Sequence, residues 1–304
     1  MNILFRVLIL ACLIPGETFA QIQPKDQSKD PLKVAPQAYK LEFENEWVRV
    51  MRVRYGPREK IAEHYHTERP SAYVYLNDAG PIIFKHLDLP YGDITRPATK
   101  AGSFRLYQAV KEVHAVENPT DTPSEFLRVE FKTEPINKNS LRGKFHREPV
   151  PPGENSHKLQ FENEQIRVAR LVIAPHKKMD VSTNGTEPAL LVALTPSQLQ
   201  AAGRTGKAQI NLEMGKTRWL ATGQQEELEN SGDAAVELLR FEFKTKPFND
   251  PSDRMDAHDH KHHPIISKSS GGFHFYFLFY FPFAICHLSF AISRRRRAFL
   301  SDIQ

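Results

Sequence analysis

The stretch YKLEFENEWVRVMRVRYGP at 39–57 returns 118 residues later as HKLQFENEQIRVARLVIAP at 157–175, with 10 of 19 positions identical. A second pair closes each copy. FLRVEFKTEP at 126–135 returns as LLRFEFKTKP at 238–247, 7 of 10 identical and 112 residues later. Solenoid repeats run about 20–50 residues, so anchors bracketing a unit of roughly a hundred residues mark a duplicated domain instead.

Within each unit the periodicity is that of strands. In 125–132, Leu127, Val129 and Phe131 alternate with Arg128, Glu130 and Lys132, and 237–244 repeats the pattern with Leu239, Phe241 and Phe243. The stretches 47–55, 72–76 and 81–87 are rich in β-branched and aromatic residues. Asn77-Asp78-Ala79-Gly80 breaks the chain between the last two as a hairpin turn would. One short helix is predicted, over 197–202 before Gly203. Many short strands with turn signals predict an all-β sandwich or barrel for each unit.

The composition narrows the function classes. The chain has 304 residues and a net charge of +5. Residues 264–304 carry Lys268 and Arg294, Arg295, Arg296 and Arg297 against Asp302, which leaves a nearly neutral body and argues against a basic nucleic-acid-binding domain. The two cysteines, Cys12 and Cys286, lie near the ends, so the body is expected to have neither a disulfide nor a thiol nucleophile.

The first 20 residues read as a secretory signal. Arg6 precedes an apolar run, and Thr18-Phe19-Ala20 is a small-x-small cleavage site. The expectation is an exported protein, periplasmic or extracellular, in which 21–38 and 136–156 are linkers. Residues 248–270 form a His-rich linker containing His258, His260, His262 and His263, either solvated or a loose metal binder. Residues 271–293 are 23 positions without Asp, Glu, Lys or Arg, followed by the basic tail 294–304. Two readings stand for that segment: a membrane-spanning anchor with the arginines inside, or a non-native low-complexity extension.

His64-Tyr65-His66 is the most informative motif. Residues two apart on a strand share a face, so both imidazoles can meet one ion. His114 follows 48 residues after His66. Three neutral imidazoles suit a divalent transition metal: Fe, Mn, Ni, Cu or Zn. Tyr75, Phe84 and Tyr107 are candidates for a pocket wall, or ordinary core. Arg49, Arg52, Arg54 and Arg128 are candidate anion binders, but the matching Arg167, Arg170 and Arg240 recur in the other unit, which favours structural ion pairs.

The order Gly56, His64, His66, Gly80, then Gly102, His114, Asn118 resembles the two motifs of the cupin superfamily. With the duplication, the chain resembles a bicupin: two tandem cupin-like β-barrels of jelly-roll type over 39–135 and 157–247, the second degenerate, ahead of the hydrophobic tail. The opening of the body resembles small secreted bacterial cupins. The resemblance implies a metal held by His64, His66 and His114, and a metal-dependent oxygenase, isomerase or decarboxylase acting on a small polar molecule. The alternative is a non-catalytic small-molecule or metal-binding module.

Two departures from the family pattern stand out. The family's Glu ligand would fall at Pro70 or Ser71. Glu68 and Tyr73 are therefore the candidates for a fourth ligand or an acid/base group. In the second unit Ser182, Asn184 and Glu226 replace the three histidines, while Glu229-Asn230 survives. That unit is expected to pack, to form a homodimer through barrel surfaces, or to bind without metal.

Overall fold

The computed structural model describes residues 29–248 apart from 68, 88–91, 109–111, 135–140 and 205. The expected signal at 1–20, the His-rich stretch and the apolar segment 271–293 lie outside the described residues. Among those described, no helix is long and apolar enough to cross a membrane.

The chain is almost entirely strand. After one helical turn, α1 (Pro31–Val34), the first repeat runs β1 (Tyr39–Glu44), β2 (Val48–Tyr55), β3 (Lys60–His66), β4 (Ser71–Tyr75), β5 (Ile82–His86), β6 (Asp93–Arg96), β7 (Phe104–Tyr107), β8 (Glu112–Glu117) and β9 (Ser124–Phe131). β10 (Gly143–Phe145) lies in the stretch expected as a linker. The second repeat is β11 (Ser156–Glu162), β12 (Ile166–Ile173), β13 (Lys178–Asp180), β14 (Ala189–Ala193), β15 (Ser197–Gly203), β16 (Gly206–Leu212), β17 (Thr217–Leu220), β18 (Glu226–Asn230) and β19 (Val236–Phe243).

The helix expected at 197–202 is instead strand β15, paired with β16 and β18. Its Ser197, Leu199 and Ala201 are buried and the intervening Gln198 is exposed, an alternation of two that overrides the good helical propensity of Gln and Ala.

Each repeat folds into two antiparallel sheets. In the first, β1-β2-β9-β4-β7-β10 faces β3-β8-β5-β6; in the second, β11-β12-β19-β14-β17 faces β13-β18-β15-β16. The orders are the same strand for strand, apart from the extra β10 edge. This is a tandem pair of cupin-like jelly-roll barrels.

The FENE repeat accounts for the shared opening. Asn45 Oδ1 accepts the N–H groups of Trp47 and Val48 at 2.8 and 3.0 Å, and Asn163 Oδ1 accepts those of Gln165 and Ile166 at 2.9 and 2.8 Å. Glu44 and Glu162 then meet Lys132 and Lys244 at 3.0 and 2.8 Å.

The apolar alternates of the large sheets do not line the barrel interiors. Leu127, Val129 and Phe131 of β9 join Leu239, Phe241 and Phe243 of β19 in one core between the two barrels. The charged alternates of β9 turn inward instead: Arg128 and Glu130 are each 2% exposed and lie 2.9 Å apart. The barrels are therefore fused through a hydrophobic face, and the first barrel has room for polar chemistry inside.

Candidate metal centre

Three strands of the small sheet deliver the polar interior of the first barrel. β3 carries a register irregularity between Ile61 and His64. The extra residue puts Ile61, His64 and His66 all on the inner face, although 61 and 64 are an odd number apart. β8 pairs His114 directly opposite His64 and turns Glu112, His114 and Val116 inward. β5 pairs His86 opposite His114 and turns Ile82, Phe84 and His86 inward.

The three predicted histidines converge. One ligand nitrogen from each of His64, His66 and His114 lies within 4.8 Å of the others, and all three residues are buried. Their ring centroids are 4.8–5.0 Å apart. Burial lowers the pKa of His64 to about 4. Burial, then the neighbouring Arg128, holds His66 well below the usual imidazole range; burial, then His64, does so for His114. All three are thus held as the neutral imidazoles that bind metals.

Their hydrogen bonding differs. His64 Nδ1 donates to the Ala62 carbonyl at 2.8 Å, and its Nε2 accepts from the Tyr39 hydroxyl at 2.9 Å. Tyr39 in turn meets the Tyr55 hydroxyl at 2.7 Å. Neither ring nitrogen of His114 has a hydrogen-bond partner, although the residue is 1% exposed. A buried polar group without a partner costs about 1–3 kcal/mol, and an ion among the three rings would remove that cost.

Of the other two predicted residues, Tyr73 points inward from β4, is 3% exposed, and lines a gap of about 10 Å³ together with His66, His114 and Tyr39. That is space for a single water or ion. Glu68 lies outside the described residues.

Sequence reasoning missed a second group. His86, Glu112 and His114 also converge, with one ligand atom each within 4.8 Å. Glu112 is 1% exposed. Its Oε2 is 3.3 Å from His86 Nε2, and its Oε1 is 3.8 Å from His114 Nδ1. A period of two could have found them: a strand over 81–87 puts Phe84 and His86 on one face, and Glu112 sits two residues before His114.

At the matching positions of the second barrel, Glu226 makes two bonds to Arg218 at 2.6 and 2.7 Å, and the Ser182 hydroxyl accepts the Glu226 N–H at 3.0 Å. The motif asparagine explains its own survival. Asn118 Nδ2 donates to the Gly56 and Thr122 carbonyls at 2.8 and 2.9 Å; Asn230 Nδ2 donates to Ile173 and Ala234 at 3.0 and 2.8 Å. It closes a loop in both barrels and does not need a metal.

No family model and no curated protein matches the sequence. Solved structures do resemble the fold. AerE from Microcystis aeruginosa aligns at 12% identity and TM-score 0.48, over 68% of this chain and 97% of that one. A point mutant of Bacillus subtilis oxalate decarboxylase aligns at 12% identity and TM-score 0.47, over 67% and 71%. A cupin 2 conserved barrel domain protein from Leptotrichia buccalis aligns at 11% identity and TM-score 0.45, over 68% and 88%. By its duplicated sheet order the chain has a bicupin fold, with a His-rich candidate metal centre in one of its two barrels.

Proposed function

We propose that the first barrel binds one divalent transition metal through His64, His66 and His114 and is a metal-dependent enzyme of the oxygenase, isomerase or decarboxylase type, acting on a small polar molecule. The observation that carries this reading is His114: fully buried, neutral, with both ring nitrogens unpartnered, and facing two more neutral imidazoles. Three nitrogen donors without a carboxylate among them suit Fe, Mn, Ni, Cu or Zn, and do not suit Mg or Ca, which take oxygen ligands.

A bound ion would supply Lewis acidity or one-electron chemistry at its open positions. The protein's own groups set the frame. Glu112 Oε1 stands 3.8 Å from His114 Nδ1, beyond hydrogen-bond reach here but on the side where a carboxylate backs a metal-bound histidine. His86 holds the other oxygen of Glu112. The Tyr39 hydroxyl fixes the His64 ring in the absence of metal and is placed to carry a proton at that edge of the centre. Tyr73 lines the same gap and is the candidate acid/base group on the β4 side.

The test is metal content. Intact protein and a His64→Ala/His114→Ala variant, which share the His-rich stretch at 258–263, are loaded, desalted and measured by elemental analysis. A difference of about one equivalent supports the reading. Equal content in the two proteins sinks it, and leaves the barrel as a non-catalytic small-molecule binder.

A further inference from the structure

Ten of the fifteen arginines among the described residues have a carboxylate partner. Arg52 meets Glu42 and Glu125, Arg167 meets Glu162 and Glu242, and Arg218 meets Glu226. The exceptions are Arg54, Arg96, Arg105, Arg142 and Arg204. Three of these five, with Lys144, line one cavity of about 510 Å³, which reaches His86 and Glu112 next to the histidine triad.

The cavity is built rather than incidental. The Arg96 guanidinium lies 3.9 Å over the Phe84 ring and 5.2 Å from that of Tyr73; Arg105 lies 4.7 Å over Tyr107. A guanidinium stacked through its face keeps its edge N–H groups for a ligand, in the fork that matches a carboxylate. Burial, and then Arg96, lower the pKa of Arg105, which places the two guanidinium groups within electrostatic reach of one another. The one carboxylate among the described lining residues, Glu112, is buried against His86. Four cationic side chains thus share this cavity with a single carboxylate, one oxygen of which lies against His86. Ile94, Leu106 and Tyr107 complete the wall with apolar surface.

The second barrel shows what was changed. Strand registers place Arg105 opposite Tyr73 and Arg218 opposite Leu191, at the same point of the two sheets. Arg218 is clamped by Glu226, whose counterpart in the first barrel is His114. Arg96 corresponds to Ile210. β10, which brings Arg142 and Lys144 to the cavity, has no counterpart.

We propose that this cavity binds the carboxylate group of a small organic acid, seated on Arg96 and Arg105, with Arg142 and Lys144 at its mouth. The proposal rests on the triad as the reaction centre and names the substrate class that reaches it.

The test uses intact, metal-free protein titrated by calorimetry with benzoate, with its neutral isostere benzamide, and with inorganic phosphate. Benzoate is expected to bind at least about tenfold tighter than benzamide and to weaken with added salt. Arg96→Gln/Arg105→Gln should lose about tenfold or more. Arg54→Gln/Arg204→Gln, which removes unpaired arginines elsewhere, should lose nothing. Arg142→Ala/Lys144→Ala alters exposed side chains and keeps the test valid if the inner variant fails to fold; it should lose a few-fold and flatten the salt dependence. Benzoate binding no tighter than benzamide, phosphate displacing benzoate, or equal loss in the Arg54/Arg204 control would each overturn the proposal. Metal bound at the triad without benzoate selectivity rejects the carboxylate and keeps the metal centre; benzoate selectivity without metal does the reverse.

Discussion

The two barrels share a frame and differ in their interiors. Aligned strand for strand, Tyr73 corresponds to Leu191, Phe84 to Ala201, His86 to Gly203 and His114 to Glu226. The second interior is closed by an aliphatic cluster that includes Leu171, Leu191, Leu199, Leu228 and Leu238. The first holds tyrosines, histidines and arginines instead. What duplication has kept is what closes the chain: the FENE turn, the loop-clipping asparagine and the apolar outer face of each large sheet. That face is constrained by its twin across the shared core, whereas each interior answers only to its own contents. A second barrel that supplies half of the shared core stabilises the first, and leaves it free to keep unpaired polar groups inside.

The harshest way to break this comparison is to put a charge at the same point in both interiors. Leu191→Glu would bury a carboxylate at a position with no solvent exposure, where the flanking Arg218 and Arg240 are already held by Glu226 and Glu242, and should cost more than about 4 kcal/mol or abolish folding. Tyr73→Glu would place the same group where the Tyr73 ring now lies 5.2–5.9 Å from the guanidinium groups of Arg96, Arg105 and Arg128. Its cost should be roughly half or less, because charge partners are already in place. Urea unfolding of the two variants decides it; equal losses would mean the interiors do not differ in the way described.

A milder pair sharpens the other half of the comparison, the conserved frame. Asn118→Ala and Asn230→Ala each remove a buried amide that holds two carbonyls and one N–H of a partly exposed loop, and each should cost about 1–3 kcal/mol. The losses should match, and Asn118→Ala should keep the metal content of the wild type. A large loss of metal with intact stability would move Asn118 out of the frame and into the site.

Much of this was legible in the sequence, because a period of two says which residues share a face. The strands at 47–55, 72–76 and 81–87 and the shared face of His64 and His66 follow from it, the duplication follows from the repeated segments, and the place of His114 follows from the resemblance to the cupin motifs. The direction of each face does not. The alternation of Leu127, Val129 and Phe131 with Arg128 and Glu130 suggests an apolar interior, yet here the apolar set faces the partner barrel and the ionic set faces inward. Only the packing of the two barrels decides that. Glu112 was hidden for a related reason: the family pattern directs attention to positions after His66, whereas this chain places its buried carboxylate on β8. The strand at 197–202 was lost to propensity, since Gln and Ala suit helices and the pairing that makes them strand lies in distant residues.

The smallest expected effect tests whether the repeated ion pairs carry equal weight. Arg167 meets Glu162 at 2.9 Å and Glu242 at 2.7 Å, whereas its counterpart Arg49 stands 3.8 Å from Glu44, and its buried Nε has no hydrogen-bond partner. Hydrogen bonds from Arg167, then Lys244, lower the Glu162 pKa to about 2. A carboxylate depressed in the folded state binds its proton more readily once unfolded, so its stabilisation is fully present above the unfolded pKa of about 4.3 and fades as pH falls toward 2. Arg167→Gln should therefore lower the urea midpoint slightly at neutral pH, and the gap from wild type should narrow steadily below about pH 4.3. Arg49→Gln should show a smaller gap at every pH, since its pair is longer and reaches one carboxylate rather than three. These are surface groups, screened by solvent and small in their individual effect, so the measurable quantity is the slope of the gap with pH more than its size. A gap that is flat from pH 6 to 3 would show that Arg167 contributes through its packed stem and not through its charge. The second barrel would then owe its share of the frame to apolar contact alone, and the two repeats would be held shut by the same means.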